Sequence, residues 1–389
     1  MNAKLPLHGI RVVEFVHMIM GPTCGMVLGD LGADVIKVEP APKGDNTRRL
    51  TGAGAGFFMT FNRNKRSVVL DLKSPEGLAA AQKLVASADV VTENFRSGAM
   101  ERLGLGYEAV RALNPRIIYA SLKGFLAGPY ERRPALDEVV QMMGGLAYMT
   151  GPEGRPLRAG SSVNDIMGGM FAAIAIMAAL YERRETGRGQ LVKSALFENC
   201  TLLVAQHMAQ QAVTGQAPAP MPNRLSPWAI YDVFDTKDQD KVFLGVVTDT
   251  QWKMFCEAFE RPDLMMDASL ATNNQRVAAR PTLVPIVQSV VGAFTKAEFL
   301  ARCERIGLPF APITRPGDLF TDPHLLASGA LMTHTNPENG VKTALPGLPV
   351  EMNGARLPLR RDVPKLGEHT REVLVELGYG EDEIVKMAG

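Results

Sequence analysis

Apolar and polar positions along the first 125 residues fall into runs that predict strands separated by short helices. Ile10–Phe15 reads as a buried strand, Gly21–Leu31 as a short helix and Gly32–Glu39 as a second strand, together a βαβ unit. Ser67–Leu72 predicts the next strand. Ser74-Pro75-Glu76 then opens a helix with a capping serine and a proline at the first helical position. The strand signal returns at Ala88–Glu93 and at Arg116–Ser121. Alternation of this kind predicts an α/β fold whose mostly parallel, doubly wound, Rossmann-like sheet is covered by helices.

The longest apolar run is Ile166–Tyr181, in which every residue is apolar or Gly. A helix with no polar face belongs inside a protein. At about 16 residues it is shorter than the roughly 20 needed to span a bilayer, and it runs directly into Glu182-Arg183-Arg184. Asp165 stands at its mouth, where helix N–H groups lack partners and the dipole favours an anion. The local reading is an N-cap; Asn164 could take that role instead and leave Asp165 free. Gly160, Gly168 and Gly169 allow a second backbone or a ligand to approach closely. A carboxylate in such an opening is a candidate nucleophile.

Beyond this helix, Gly187-Arg188-Gly189 forms a stop, Gln190–Ala195 a strand and Leu196–Val213 an amphipathic helix. A run rich in proline follows, and the pattern resumes with a strand at Val242–Val247 and helices near Gln251–Phe259, Pro281–Ala293 and Lys296–Ile306. The tail ends in an amphipathic helix at Glu368–Leu377 and carries too little apolar material for a core of its own. The expected division is a large domain of residues 1–215 with 326–389, a linker at 216–228 and a small α/β domain at 229–325.

Composition narrows the chemistry. A 389-residue chain that is 46% hydrophobic is long enough for two domains, and a formal net charge of +1 gives no reason to expect nucleic acid or an acidic membrane as partner. The four cysteines, Cys24, Cys200, Cys256 and Cys303, have no metal-ligand or redox spacing, and the N-terminus lacks a secretory pattern, so a reducing cytoplasm is expected. No Gly-x-Ser-x-Gly elbow, His-Glu-x-x-His, phosphate-binding loop or Cys-x-x-Cys pair occurs, and the six histidines are dispersed. Serine-hydrolase, zinc and nucleotide-triphosphate chemistries therefore lose support, and no metal is expected. The first loop, Val16–Pro22, lacks the glycine fingerprint of a dinucleotide site, and Gly52–Gly56 has the wrong spacing and reads as a loop. In a parallel sheet the loops after the strands bind ligands, and here they contain His17, Lys73, Asn94, Arg96 and Lys123.

Many ordered segments resemble the class III CoA-transferases of the CaiB/BaiF group, a likeness that spans essentially the whole chain. Among them are Gly9–Glu14, Gly29–Glu39, Asn62–Lys73, Glu93–Gly98, Leu103–Tyr107, Gly128-Pro129-Tyr130, Thr186–Gln190 and Gly367–Thr370. The resemblance implies exchange of CoA between an acyl-CoA and a free carboxylic acid, with Asp165 attacking the donor thioester. The implied intermediates are a mixed anhydride and an aspartyl-CoA thioester, which need neither ATP nor metal. Backbone N–H groups near Ile19 and Met20 are the candidate oxyanion donors.

Carried over by the same resemblance, the CoA-contacting positions are His17 on the first loop, Leu70 to Lys73, then Asn94, Phe95 and Arg96, then Arg102, with Arg133 the nearest basic match ahead of Asp137. Arginine and lysine suit anionic phosphates, and apolar loop residues can sandwich adenine. An interlocked homodimer is also implied.

Relatives in the formyl-CoA branch carry Gln where this chain has Ile19, so formyl chemistry is disfavoured. Racemases and epimerases of the superfamily use a His directly before an Asp; here the pair is Leu136-Asp137, and leucine cannot move a proton. The remaining alternatives are a CoA-binding protein without turnover and an oxidoreductase on a similar sheet. A dicarboxylate such as succinate is the expected acyl class, met near Arg224, Trp228, Tyr231 and Thr248-Asp249.

Overall fold

Valine- and isoleucine-rich runs assemble, in a computed structural model of the chain, into one six-stranded sheet. The structure describes residues 4–388 apart from Leu225. In chain order come β1 (Arg11–Phe15), α1 (Met20–Asp30), β2 (Asp34–Pro40), α2 (Phe57–Phe61), β3 (Lys65–Leu70), α3 (Pro75–Ala86) and β4 (Val90–Glu93). Next are α4 (Ala99–Arg102), α5 (Tyr107–Leu113), β5 (Ile118–Lys123), α6 (Asp137–Met143), α7 (Leu146–Thr150), α8 (Val163–Thr186), β6 (Leu191–Ala195) and α9 (Leu196–Thr214). The strands lie in the order β3-β2-β1-β4-β5-β6, every neighbouring pair parallel. Strand order reverses between β1 and β4, which is where a sheet of this kind opens a ligand crevice beyond its carboxyl ends.

Alternation along each strand feeds two cores. Val13, Phe15, Ile36, Val38 and Val68 pack on one face with Leu84 and Val85 of α3. Val12, Val35, Val90 and Ile118 pack on the other with Leu28 of α1 and Ala172, Ala173 and Ile176 of α8. The chain divides into two compact units, Met1–Pro222 with His324–Gly389, and Asn223–Pro323. The second unit contains β7 (Ile230–Asp235), β8 (Lys241–Val246), α10 (Asp249–Ala258), α11 (Pro262–Met266), α12 (Asn273–Ala278), α13 (Arg280–Val291), α14 (Lys296–Ile306) and β9 (Phe310–Pro312), around its own core that includes Trp252, Phe255 and Phe299.

The C-terminal segment adds α15 (Pro323–Ala327), the hairpin β10 (Leu331–Thr335) and β11 (Lys342–Pro346), the short pair β12 (Glu351–Met352) and β13 (Ala355–Arg356), and α16 (Thr370–Glu376) and α17 (Glu381–Ala388). Val373 and Leu374 of α16 enter the α3-side core. Arg66 Nη1 donates to Glu372 Oε1 at 2.9 Å and to Glu376 Oε1 at 2.6 Å, and Val69 N donates to Thr370 Oγ1 at 3.0 Å, so the tail is stapled along β3.

Several expectations shift. β3 starts at Lys65 rather than Ser67 because Lys65 and Arg66, although charged, are buried and paired. The Gly52–Gly56 segment is not a plain loop; it makes a helical turn leading into α2. β7 and α17 were not visible as apolar runs. The largest correction concerns α8, which is not buried all round: Met170, Phe171, Ile174 and Tyr181 are exposed, the last at 73%. Gly168, Gly169, Ala172 and Ala173 turn inward together with Ile176 and Leu180, while the exposed residues form the opposite side. By length and composition α8 also meets the demands of a membrane span, but that inner face is packed inside the protein.

Beneath α1 the sheet buries an ion cluster. Glu14, Lys37 and Lys65 are all inaccessible to solvent. Lys65 Nζ donates to Glu14 Oε1 at 2.8 Å, to Pro22 O at 2.9 Å and to Asn62 Oδ1 at 3.1 Å. Lys37 Nζ donates to Val16 O at 2.7 Å and pairs with Asp45 at 2.9 Å. A Cβ on Gly25 of α1 would overlap Glu14 Oε2, so glycine is required for the helix to lie over the carboxylate. Removing one partner of a buried pair leaves an uncompensated charge. Lys65→Met is therefore expected to lower unfolding free energy by about 3–5 kcal/mol in urea titrations. The double variant Glu14→Leu/Lys65→Met should recover most of that loss; additive losses would contradict the pairing.

Candidate active site

The turn from β1 into α1 is clamped from three sides. Lys37 holds Val16 O from below, His17 N donates to Asn94 Oδ1 at 3.0 Å, and Asn94 Nδ2 returns to His17 O at 2.8 Å. Within it Met18 adopts φ +62°, a left-handed conformation few residues other than glycine take up. The His17 ring stacks on Phe95 with centroids 5.8 Å apart. Phe95 is fixed in turn: its N–H donates to Glu93 Oε2 at 3.0 Å, and Lys123 Nζ bridges Glu93 Oε2 and Phe95 O at 2.7 and 2.5 Å. Surrounding protein holds the His17 imidazole below its ordinary pKa, with Asp45 opposing and Lys37 reinforcing.

Across the crevice α8 begins at Val163, so Asp165 lies inside the first turn and is not the cap; neither is Asn164. The cap comes from another helix. Asp137, first residue of α6, accepts from Asn164 N at 2.8 Å and from Asp165 N at 3.1 Å through Oδ1, while its Oδ2 takes Gln141 Nε2. A borrowed carboxylate thus satisfies the helix terminus and releases the Asp165 side chain.

Asp165, Gly168 and Gly169 share one helix face. A Cβ on Gly169 would sit 2.5 Å from Met20 O and 2.7 Å from Thr23 Cβ; one on Gly168 would sit 2.6 Å from Met20 Cε. Ile166 packs with Ile19, Met26 and Phe61. This glycine contact draws the start of α8 against the first turn of α1. The opening N–H groups of α1 lack intrahelical acceptors and carry the positive end of its dipole.

The Asp165 carboxyl is pushed up to about 7, chiefly by burial and secondarily by the Asp137 charge, with Arg158 pulling the other way. A carboxylate raised this far is a better nucleophile than an ordinary one and still ionises near neutrality.

One group of the residues singled out in sequence is brought together, His17 with Asn94 and Phe95; Ile19 and Met20 meet α8 at Ile166, Gly168 and Gly169, the neighbours of Asp165 on its first turns. Leu70 is buried at the end of β3, and Lys73 is exposed in the turn after it, two strands from β1. Arg96 and Arg102 are exposed around α4. Arg133 lies over the Tyr130 ring at 4.1 Å. These four cationic side chains stand apart from the His17 group as exposed charges.

Trp228 and Tyr231 instead pack against each other, rings tilted 45° with centroids 4.8 Å apart, Asp249 is held by Arg276, and Thr248 caps α10, so these serve the packing of the second unit. Sequence reading missed Asp137 as the cap of α8, Lys37 as the clamp of Val16, and Glu93 as the anchor of Phe95. Asp137 did signal a helix start after Pro134, but the helix it caps lies 27 residues on. Among the described residues no three His, Cys, Asp or Glu side chains gather as a metal site.

Comparison with known proteins agrees with this frame. The profile of CoA-transferase family III matches residues 7–370, and the chain belongs to that family. It is 37% identical to a succinate–glutarate CoA-transferase of Agrobacterium fabrum over 97% of this chain and 96% of the relative. It is 34% identical to the succinyl-CoA–L-malate CoA-transferase beta subunit of Chloroflexus aurantiacus over 98% and 97% of the two chains. A crystal structure of a CaiB/BaiF family protein from Brucella suis superposes with a TM-score of 0.84 at 35% identity, over 96% of this chain and 100% of that one.

The raised Asp165 carboxyl sets a pH dependence of stability. Its folded pKa lies above the unfolded value, so its stabilising contribution is complete below about pH 4 and is lost as pH rises through about 7. Asp165→Asn, neutral throughout, should exceed the parent in Tm by clearly more at about pH 8 than at about pH 5. A difference of equal size at both values would contradict the assignment.

Proposed function

We propose that this CoA-transferase moves CoA between a dicarboxylyl-CoA and a free carboxylic acid, with Asp165 as the covalent nucleophile. The observation that carries the reading is one raised carboxylate, uncoupled from capping, set against the N-terminal turn of α1. The dicarboxylate class is supported by the relatives named for succinate, glutarate and malate.

In the first step an Asp165 oxygen attacks the donor carbonyl, the carbon–sulfur bond breaks, and CoA leaves as thiolate from a mixed anhydride. The thiolate then attacks the aspartyl carbonyl, releasing the donor acid and forming an aspartyl-CoA thioester. The acceptor carboxylate attacks that thioester and expels the thiolate, which finally takes the acceptor's acyl group and frees Asp165. Thioester energy is conserved throughout. The Ile19 and Met20 N–H groups are the oxyanion donors in this scheme, and burial of the site protects the anhydride from water. His17 and Phe95 offer a flat surface to adenine, while Lys73, Arg96, Arg102 and Arg133 offer cations to the phosphates. The racemase alternative finds only Leu136, 63% exposed, where it needs a proton-transfer group.

A homodimer belongs to the same reading. The outward row Met170, Phe171, Ile174 and Tyr181 on α8, with Leu202 and Met208 on α9, is apolar surface that a second copy would cover. Four free, buried thiols support a reducing, cytoplasmic setting.

Incubating the protein with succinyl-CoA and hydroxylamine should release CoA and leave a hydroxamate on the peptide containing Asp165, read by intact and peptide mass. The rate of CoA release should rise with pH through about 7, since only the ionised carboxylate attacks. Asp165→Ala should abolish both signals, and the parent should sediment as a dimer. Adduct formation by Asp165→Ala at the parent rate would reject the nucleophile.

A further inference from the structure

One cation beside Asp165 has no established task. Arg158, on the segment leading into α8, is the positive charge acting on the Asp165 carboxyl. Its bonds are local or long: Nε donates to Ala159 O next to it at 3.1 Å, Nη1 reaches Glu138 Oε2 at 3.4 Å, and Nη2 stands 3.7 Å from Asp137 Oδ2. Its side chain is 37% exposed and Glu138 is 57% exposed.

The buried arginines of the same unit are bound differently. Arg48 grips Glu39 with two bonds of 2.7 and 2.8 Å, and Arg63 holds Asp30 at 2.7 Å. Those guanidinium groups are saturated. Asp137 does not do this for Arg158: three N–H donors already use its two oxygens, and Nη2 stands 3.7 Å from Oδ2, beyond hydrogen-bond distance. Arg158 therefore presents a loosely filled planar fork, of the kind that accepts a carboxylate in two parallel bonds, one carboxylate away from the Asp165 backbone.

We infer that Arg158 binds the remote carboxylate of a dicarboxylic acyl group while the near carbonyl reacts at Asp165. The inference rests on the transfer reading above and deepens it: it assigns the preference for dicarboxylic over monocarboxylic substrates to one residue. Glu138 and Asp137 hold the guanidinium in place between turnovers, and the substrate's second carboxylate displaces the longer of these contacts. A substrate ending in methyl at that position leaves the fork unfilled and gains nothing from it.

The test uses the full chain and matched pairs: succinyl-CoA against butyryl-CoA as donors, and glutarate against pentanoate as acceptors. The readout is the ratio of kcat/KM for the dicarboxylic member to that for its partner. Arg158→Gln is expected to lower this ratio by about 10- to 100-fold, through KM more than kcat, because a site built to pair a polar group discriminates strongly against its absence. Arg158→Lys, which keeps charge but loses the fork, should fall between the two. Either variant alone decides the matter if the other fails to fold.

A parent ratio near one, or a proportional loss on both members of each pair, would overturn the assignment and leave Arg158 a structural residue. Parent protein that releases CoA from no acyl-CoA at all would instead remove the transfer reading itself. The two failures are thus distinguishable.

Discussion

Two helix N-termini meet in this fold because Gly169 has no side chain. The approach of α8 to Met20 O and Thr23 leaves no room for even a methyl group, and Asp165 shares the face that makes that approach. Everything chemical follows from it. The half-buried carboxyl has a raised pKa, and the helix it stands on packs against the first turn of α1, the end of that helix that favours negative charge. The partner surface is equally prepared. Lys65 ties Pro22 O to Glu14, Lys37 ties Val16 O to Asp45, and Gly25 lets α1 settle over the cluster. Charges buried at such expense define where the helix begins, and the β1–α1 turn is thereby held in a conformation that includes a left-handed methionine.

Asp137 has a double part in that arrangement. As a cap it neutralises the need that would otherwise recruit Asp165 to its own helix terminus. As a charge it pushes the Asp165 pKa upward, reinforcing burial. Arg158 acts the other way and is the smallest of the three influences on the Asp165 carboxyl. Burial, Asp137 and Arg158 therefore set one proton affinity, and Asp137 lies 28 residues from Asp165 in sequence.

That distribution explains what could be read from the chain and what could not. The alternating strands and Ser74-Pro75-Glu76 were legible because strand burial and helix capping act over a few residues. Asp165 was legible as a carboxylate at the start of an apolar helix, but its local reading as a cap was wrong, because the cap arrives from α6 through tertiary structure. The burial of α8 on one face only is invisible in sequence because periodicity reports whether a polar face exists, and an exposed apolar face reads the same as one turned toward a core. The start of β3 was missed for the opposite reason: Lys65 and Arg66 look solvated in sequence, and only their pairing with Glu14, Asp34 and α16 makes burial tolerable. The CoA-binding positions came from family resemblance. The structure gives His17, Asn94 and Phe95 a common geometry and leaves Lys73, Arg96, Arg102 and Arg133 as separate exposed cations.

The claim on which the account depends is that an Asp165 oxygen passes into the product acid while one from the acceptor replaces it. A single turnover of acylated enzyme with a heavy-oxygen-labelled dicarboxylate, followed by peptide mass analysis, measures this directly. One heavy oxygen retained in the Asp165 carboxylate is the predicted result; label absent from that residue after CoA transfer has occurred would contradict it.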